Sequence, residues 1–155
     1  MELKIYQQEA LNTLTSFCKN YKESSGKVEE AFNNTLKNSE QFSEPYEPYL
    51  KVKESTAPYI CIRIPTGGGK TLIAAKSLKP VIEELYENDK TFLVIWLAPK
   101  DIIVNQTIKA LKDPKHPYRK AIDEDFPSTS INVMKLKDAL TNTFNKKTEQ
   151  WKSKY

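Results

Sequence analysis

Arginine, histidine, cysteine and glycine are all scarce in this chain of 155 residues, and each shortage argues against a class of function. Only Arg63 and Arg119 are arginines among the 24 basic residues, which leaves little from which to build the arginine-rich lid of a small-molecule kinase. The sole histidine, His116, reads as a loop contact or a cap, because one His without flanking carboxylates rarely makes a site. Cys18 and Cys61 lack metal-ligand spacing and fall in an expected helix and an expected strand, so both read as buried thiols of a reducing compartment. No apolar run is long: the longest, residues 92–98, is far too short to cross a membrane, and the first eight residues form no basic leader. The expectation is a cytoplasmic protein. The length suits one domain and its core, and the net charge of +4 permits contacts to a phosphate backbone without announcing them.

Against that background the glycines stand out, because three of the four are consecutive, in R-I-P-T-G-G-G-K-T-L-I-A-A at residues 63–75. Before the turn, Tyr59, Ile60, Cys61, Ile62 and Ile64 read as a buried strand, and after it Leu72, Ile73, Ala74, Ala75 and Leu78 suit a helix on a sheet. Gly67, Gly68 and Gly69 can take backbone angles denied to other residues, so their N–H groups can converge on a phosphate. Lys70 would then supply a point charge to the β and γ phosphates, and the Thr71 hydroxyl would ligate Mg²⁺. This spacing describes a nucleotide triphosphate site with Mg²⁺, with Lys70 and Thr71 in the catalytic positions.

Elsewhere, Leu3, Ile5, Tyr6, Ala10, Leu11, Leu14 and Phe17 give an amphipathic helix over residues 3–21. Residues 22–56 are a polar connecting segment in which Val28, Ala31, Phe32 and Leu36 can form a short helix. Pro80 predicts a kink or a fresh helix start. Residues 91–98 read as a second strand, 101–111 as a helix, 131–136 as a third strand and 138–147 as a further helix. Strands alternating with helices predict an α/β fold, three-layer with a parallel sheet.

The strict phosphate-loop pattern wants glycine at position 64, where this chain has Ile64. Thr66-Gly67-x-Gly69-Lys70-Thr71 instead resembles the first motif of superfamily 2 helicases, in which the leading glycine is commonly replaced. L-A-P-K-D-I-I-V-N-Q-T, residues 97–107, is similar to the motif whose loop and helix touch the nucleic-acid backbone, with Pro99 matching, Lys100 in place of a small hydroxyl residue, and Gln106 at the helical glutamine position. L-K-I-Y-Q-Q-E-A-L near the N-terminus resembles the upstream element that places an adenine-reading glutamine after an aromatic residue, which points to Gln7 after Tyr6, with Gln8 the weaker match. Taken with A-L-K-D-P-K-H-P-Y-R-K-A-I at residues 110–122, the chain resembles the N-terminal part of the first RecA-like domain of a DEAD/DEAH-type helicase, and more narrowly the restriction subunit of type III restriction enzymes, which implies an α/β, three-layer P-loop NTPase (RecA-like) domain with a parallel sheet, incomplete in this chain.

That resemblance implies Gln7, Thr66, Gly67, Gly68, Gly69, Lys70 and Thr71 on ATP, Thr71 on Mg²⁺, and Pro99, Lys100 and Gln106 on DNA. It also implies ATP-driven translocation on double-stranded DNA, with cleavage by a separate nuclease part and a methyltransferase subunit that reads the site. The layout expected is an N-terminal helix element at 1–21, the connecting segment at 22–56, and a partial ATP-binding domain at 57–155, with the phosphate loop at 64–71 and the DNA-contact motif at 97–107.

An ATPase of this class also needs a strand ending in Asp-Glu to hold Mg²⁺ and polarise the attacking water. Glu29-Glu30 and Glu83-Glu84 lie on expected helices, and Asp123-Glu124-Asp125 reads as the acidic end of a short helix. No nuclease carboxylate cluster is visible either. The chain is therefore expected to be a fragment, weakly binding and negligibly hydrolytic alone. A small-molecule kinase and a truncated, non-catalytic interaction module are the competing readings.

Overall fold

The computed structural model describes residues 2–37, 58–86, 92–127 and 131–141. The chain divides into two compact units, Met1–Lys90 and Thr91–Tyr155.

The first unit is built on α1 (Ile5–Glu23), a 19-residue helix. Leu11, Leu14, Phe17 and Cys18 fall at spacings of three and four, so they share one face and are buried along it. The helix stops where Ser25 takes a positive φ of 55°: Gly26 N–H donates to the Tyr21 carbonyl and Ser25 N–H to the Lys22 carbonyl, the two crossed bonds of a Schellman closure. The chain then reverses into α2 (Val28–Leu36), whose Ala31 is fully buried against Leu14, Phe17 and Cys18. A methyl group there allows the helices to approach closely, and Asn20 Nδ2 donates to Thr35 Oγ1 at 2.9 Å across the same contact.

Two further helices are described in this unit, α3 (Lys70–Lys76) and α4 (Leu78–Leu85). The break between them matches the fresh start expected at Pro80, which sits in the first turn of α4, where an N–H has no helical acceptor to lose. Val81 and Leu85 of α4 pack on the α1–α2 core, and Lys19 Nζ of α1 lies 3.8 Å from Glu84 Oε1. Burial pushes the Cys18 thiol up to about 11, with the negative charge of Glu84 adding to the effect.

In the second unit, α5 (Asp101–Lys112) and α6 (Pro117–Asp123) are in contact, and Leu111, Ala121 and Ile122 on them are buried. His116 caps α6, its Nδ1 accepting from Tyr118 N–H at 3.2 Å, and Pro117 follows at the first helical position. Arg119 holds the corner: its Nε donates to Asp123 Oδ1 at 2.7 Å and its Nη1 to the Leu111 carbonyl at 3.2 Å. Residues 136–141 are helical. The rest of the helix expected at 138–147 lies outside the described residues, as do residues 38–56 of the connecting segment.

The expected α/β architecture is overturned. Among the described residues there is no strand and no parallel sheet; the fold is helical. Of the expected strands, residues 59–64, the described 92–98 of 91–98, and 131–135 of 131–136 carry no regular secondary structure, and Leu136 is already helical. Their composition suits a sheet, but a strand's hydrogen bonds are completed only by a neighbouring strand, and none is paired here. Many of their side chains are correspondingly uncovered, with Leu93 79% and Leu97 84% exposed. Cys61 is exposed as well, contrary to the expectation of a buried thiol. Only Ile64 of the first segment is buried, because α1 and α3 supply its cover.

Candidate functional site

The glycine turn of residues 66–69 leads into α3 and rests on the first turn of α1. Ile64 explains part of the seating. Its side chain packs with Leu11 of α1 and Ile73 of α3, edged by Leu3, Tyr6 and Ala10. Glycine, which the strict phosphate-loop pattern has at this position, would leave that cluster unfilled, and burying an isoleucine contributes about 1.5–3 kcal/mol.

Above this apolar footing the turn closes on itself. Gly68 N–H donates to the Pro65 carbonyl at 3.0 Å, and Gly67 and Gly69 stand at φ of 75° and 83°, angles at which a residue with a Cβ is strained. Gly68 is required for space instead: a Cβ there would meet Ile64 Cγ2 at 2.7 Å and the Pro65 carbonyl oxygen at 2.9 Å. The first helical bond of α3 runs from Ile73 N–H to the Gly69 carbonyl, so the N–H groups of Lys70, Thr71 and Leu72 lie ahead of it. Lys70 is exposed and its Nζ donates to the Pro65 carbonyl at 3.0 Å, folded back along its own loop. Thr66 is exposed and Thr71 half-buried.

Gln7 is only 5% exposed, and both ends of its amide are used inside the protein. Oε1 accepts from Lys4 N–H at 2.9 Å, closing the start of α1, while Nε2 donates to the Gly68 carbonyl at 2.8 Å. Reading a base with this amide would require releasing both bonds. The Tyr6 hydroxyl donates to the same carbonyl at 3.0 Å. The sequence pattern marks Tyr6 only as the aromatic residue before Gln7, and that adjacency is the one signal in the sequence for its contact with the loop. Gln8 is exposed and its Nε2 donates to Asn12 Oδ1 at 2.9 Å, a bond along the helix surface.

The structure thus brings Gln7, Gly67, Gly68, Gly69 and Lys70 together. Pro99, Lys100 and Gln106 belong to the second unit and are all exposed there. Lys100 is the N-cap residue of α5, its carbonyl accepting from Ile103 N–H at 3.0 Å and Val104 N–H at 3.2 Å. Asp123-Glu124 ends α6, with Asp123 paired to Arg119, which bears out its reading as a helix terminus. Among the described residues no group of three or more His, Cys, Asp or Glu side chains is placed to hold a metal ion, and no helix is long and apolar enough to cross a membrane.

The fold and the loop together define a helical protein that presents three glycines and then Lys-Thr at the start of a short helix. The family model described as "Type III restriction enzyme, res subunit" matches residues 1–153. The chain belongs to that family, whose members are helicase-like. No curated protein and no solved structure gives a significant match.

Proposed function

We propose that this chain is the ATP-binding and DNA-contacting part of a helicase-like restriction subunit, taking the phosphates of Mg-ATP on residues 66–71 and the backbone of double-stranded DNA on Pro99, Lys100 and Gln106. The observation that supports the nucleotide reading best is the pair of left-handed glycines, Gly67 and Gly69, immediately ahead of Lys70 and Thr71. The turn puts the Lys70, Thr71 and Leu72 N–H groups ahead of the first bond of α3, which suits a polyanion.

The donor set fits a triphosphate. Lys70 supplies a flexible charge that exchanges the Pro65 carbonyl, 3.0 Å away, for a phosphate oxygen. Thr71 offers one hydroxyl oxygen to Mg²⁺, an ion that takes most of its ligands from phosphate and water in such sites. Mg²⁺ when bound neutralises part of the phosphate charge. Specificity for adenine is assigned to Gln7, whose amide trades its bonds to Lys4 and Gly68 for the base edge. Turnover also needs an acidic group beside the attacking water; Asp123 is committed to Arg119, so these residues supply binding, and hydrolysis is assigned to the assembled enzyme with its DNA and methyltransferase partners.

Calorimetric titration of Mg-ATP into wild type and Lys70→Ala tests the reading. Binding by the wild type and none by the variant is expected. Equal affinities would remove the loop from consideration as a phosphate site.

A further inference from the structure

One carbonyl of the loop is held by two side chains. Gly68 O accepts from the Tyr6 hydroxyl at 3.0 Å and from Gln7 Nε2 at 2.8 Å, so both of its lone pairs are engaged from α1. The restraint matters because the peptide between residues 68 and 69 is flanked by glycine on both sides. Flipping that peptide changes ψ of Gly68 and φ of Gly69, rotations that glycine makes at little steric cost. In a trans peptide the carbonyl and the following N–H point in opposite directions, so drawing Gly68 O toward α1 turns the Gly69 N–H away from it. Tyr6 is itself well placed for this task, since its ring packs at the edge of the Leu11, Ile64 and Ile73 cluster and its hydroxyl has few positions open to it.

We infer that Tyr6 is a positioning residue of the phosphate loop: with Gln7 it locks the 68–69 peptide so that the Gly69 N–H is presented to a phosphate oxygen. This rests on the loop taking a polyphosphate, as proposed above. The two donors then differ in role. Gln7 has an amide that a base can compete for, whereas Tyr6 offers a single hydroxyl and keeps the carbonyl in place whichever nucleotide is bound.

The test is Tyr6→Phe, which removes one hydroxyl and keeps the ring in its apolar setting. Mg-ATP, Mg-GTP and inorganic tripolyphosphate are titrated into wild type and variant, and the Gly69 amide is followed by ¹H–¹⁵N NMR without ligand. The Kd is expected to rise about two- to tenfold for each of the three ligands, most for Mg-ATP, where Gln7 has left the carbonyl for the base, in line with the loss of one neutral hydrogen bond. The Gly69 resonance is expected to shift or broaden in the free protein. Tyr118→Phe, in the second unit, serves as the control and should change neither reading. Unchanged affinities with Tyr6→Phe overturn the inference, whether or not the resonance moves. A loss confined to Mg-ATP also overturns it, since that pattern belongs to a base contact. Wild-type protein that takes up none of the three ligands sinks the phosphate reading itself and Tyr6 with it, an outcome distinct from normal uptake by an indifferent variant.

Discussion

Gln7 Nε2 occupies the space that a side chain on Gly69 would need: a Cβ at that position would fall 2.6 Å from it. The three loop glycines are therefore required for different reasons, and substitution separates them. At Gly67 a Cβ meets nothing within 4 Å, so Gly67→Ala is expected to cost only the strain of a φ of 75°, about 1 kcal/mol, and Gly67→Asn less, because asparagine tolerates left-handed angles. Gly69→Ala adds the collision with Gln7 and is expected to cost about 2–4 kcal/mol. In a Gln7→Ala background the same substitution should fall back to the strain alone. Gly68→Ala faces the Pro65 carbonyl at 2.9 Å, which no side-chain truncation relieves. Urea unfolding of the series measures each cost, and strictly additive effects of Gln7→Ala and Gly69→Ala would refute the account.

Helices are the legible part of this chain. The i, i+3, i+4 spacing of Leu11, Leu14, Phe17 and Cys18 announces both α1 and its buried face, because a helix satisfies its own backbone and needs only something apolar to lie on. The apolar runs at 59–64 and 92–98 read as buried strands on composition alone. A strand's hydrogen bonds and its cover come from other segments, so its residues state a preference that the rest of the chain must complete. The loop is legible through its glycines. The mismatch at Ile64 marks a departure from the usual pattern without showing that the side chain fills a core under the loop. The double hold on Gly68 joins residues 61 and 62 positions apart, and no local spacing encodes such a pairing.

Arg119 governs the second unit. It bridges Asp123 on its own helix and the carbonyl of Leu111 at the end of α5, and the Arg119 and Asp123 side chains are 12% and 19% exposed. Arg119→Ala leaves a poorly hydrated carboxylate and a freed carbonyl, so a loss of about 2–4 kcal/mol is expected. Arg119→Lys keeps the charge but not the fork that reaches two acceptors at once, and an intermediate loss is expected. Hydrogen exchange of the α5 and α6 amides reads this directly. Wild-type protection in Arg119→Ala would show that the corner is held by apolar packing alone.

For DNA, the proposal gives Lys100 a phosphate and Gln106 an uncharged backbone contact. Lys100→Ala is then expected to weaken binding to duplexes of any sequence and to lower the slope of log K against log salt by about 1, because one phosphate is no longer neutralised by the protein. Gln106→Ala should weaken binding with the slope unchanged, since an amide displaces no counterion. Salt titrations of both variants, followed by fluorescence anisotropy, decide the matter. An unaltered slope for Lys100→Ala would make that residue an ordinary solvated lysine at a helix cap.

The two thiols should behave as opposites. Cys61 is exposed and Cys18 is fully buried, so an aromatic disulfide reagent is expected to modify one thiol at once in native protein and the second only on unfolding, with Cys61→Ser removing the fast phase. Burial, aided by Glu84, raises the Cys18 thiol from 9.0 to about 11, so between those values the unfolded chain loses its proton while the folded chain keeps it. The folded value is the higher one. The stabilisation is therefore fully present below 9.0 and lost as pH rises through the window to about 11, a change on the order of 2 kcal/mol. Cys18→Ala carries no thiol and should show a correspondingly shallower decline over that interval. Unfolding free energies of wild type and Cys18→Ala that fall in parallel with pH would mean that the Cys18 thiol is not insulated by the α1–α2–α4 core.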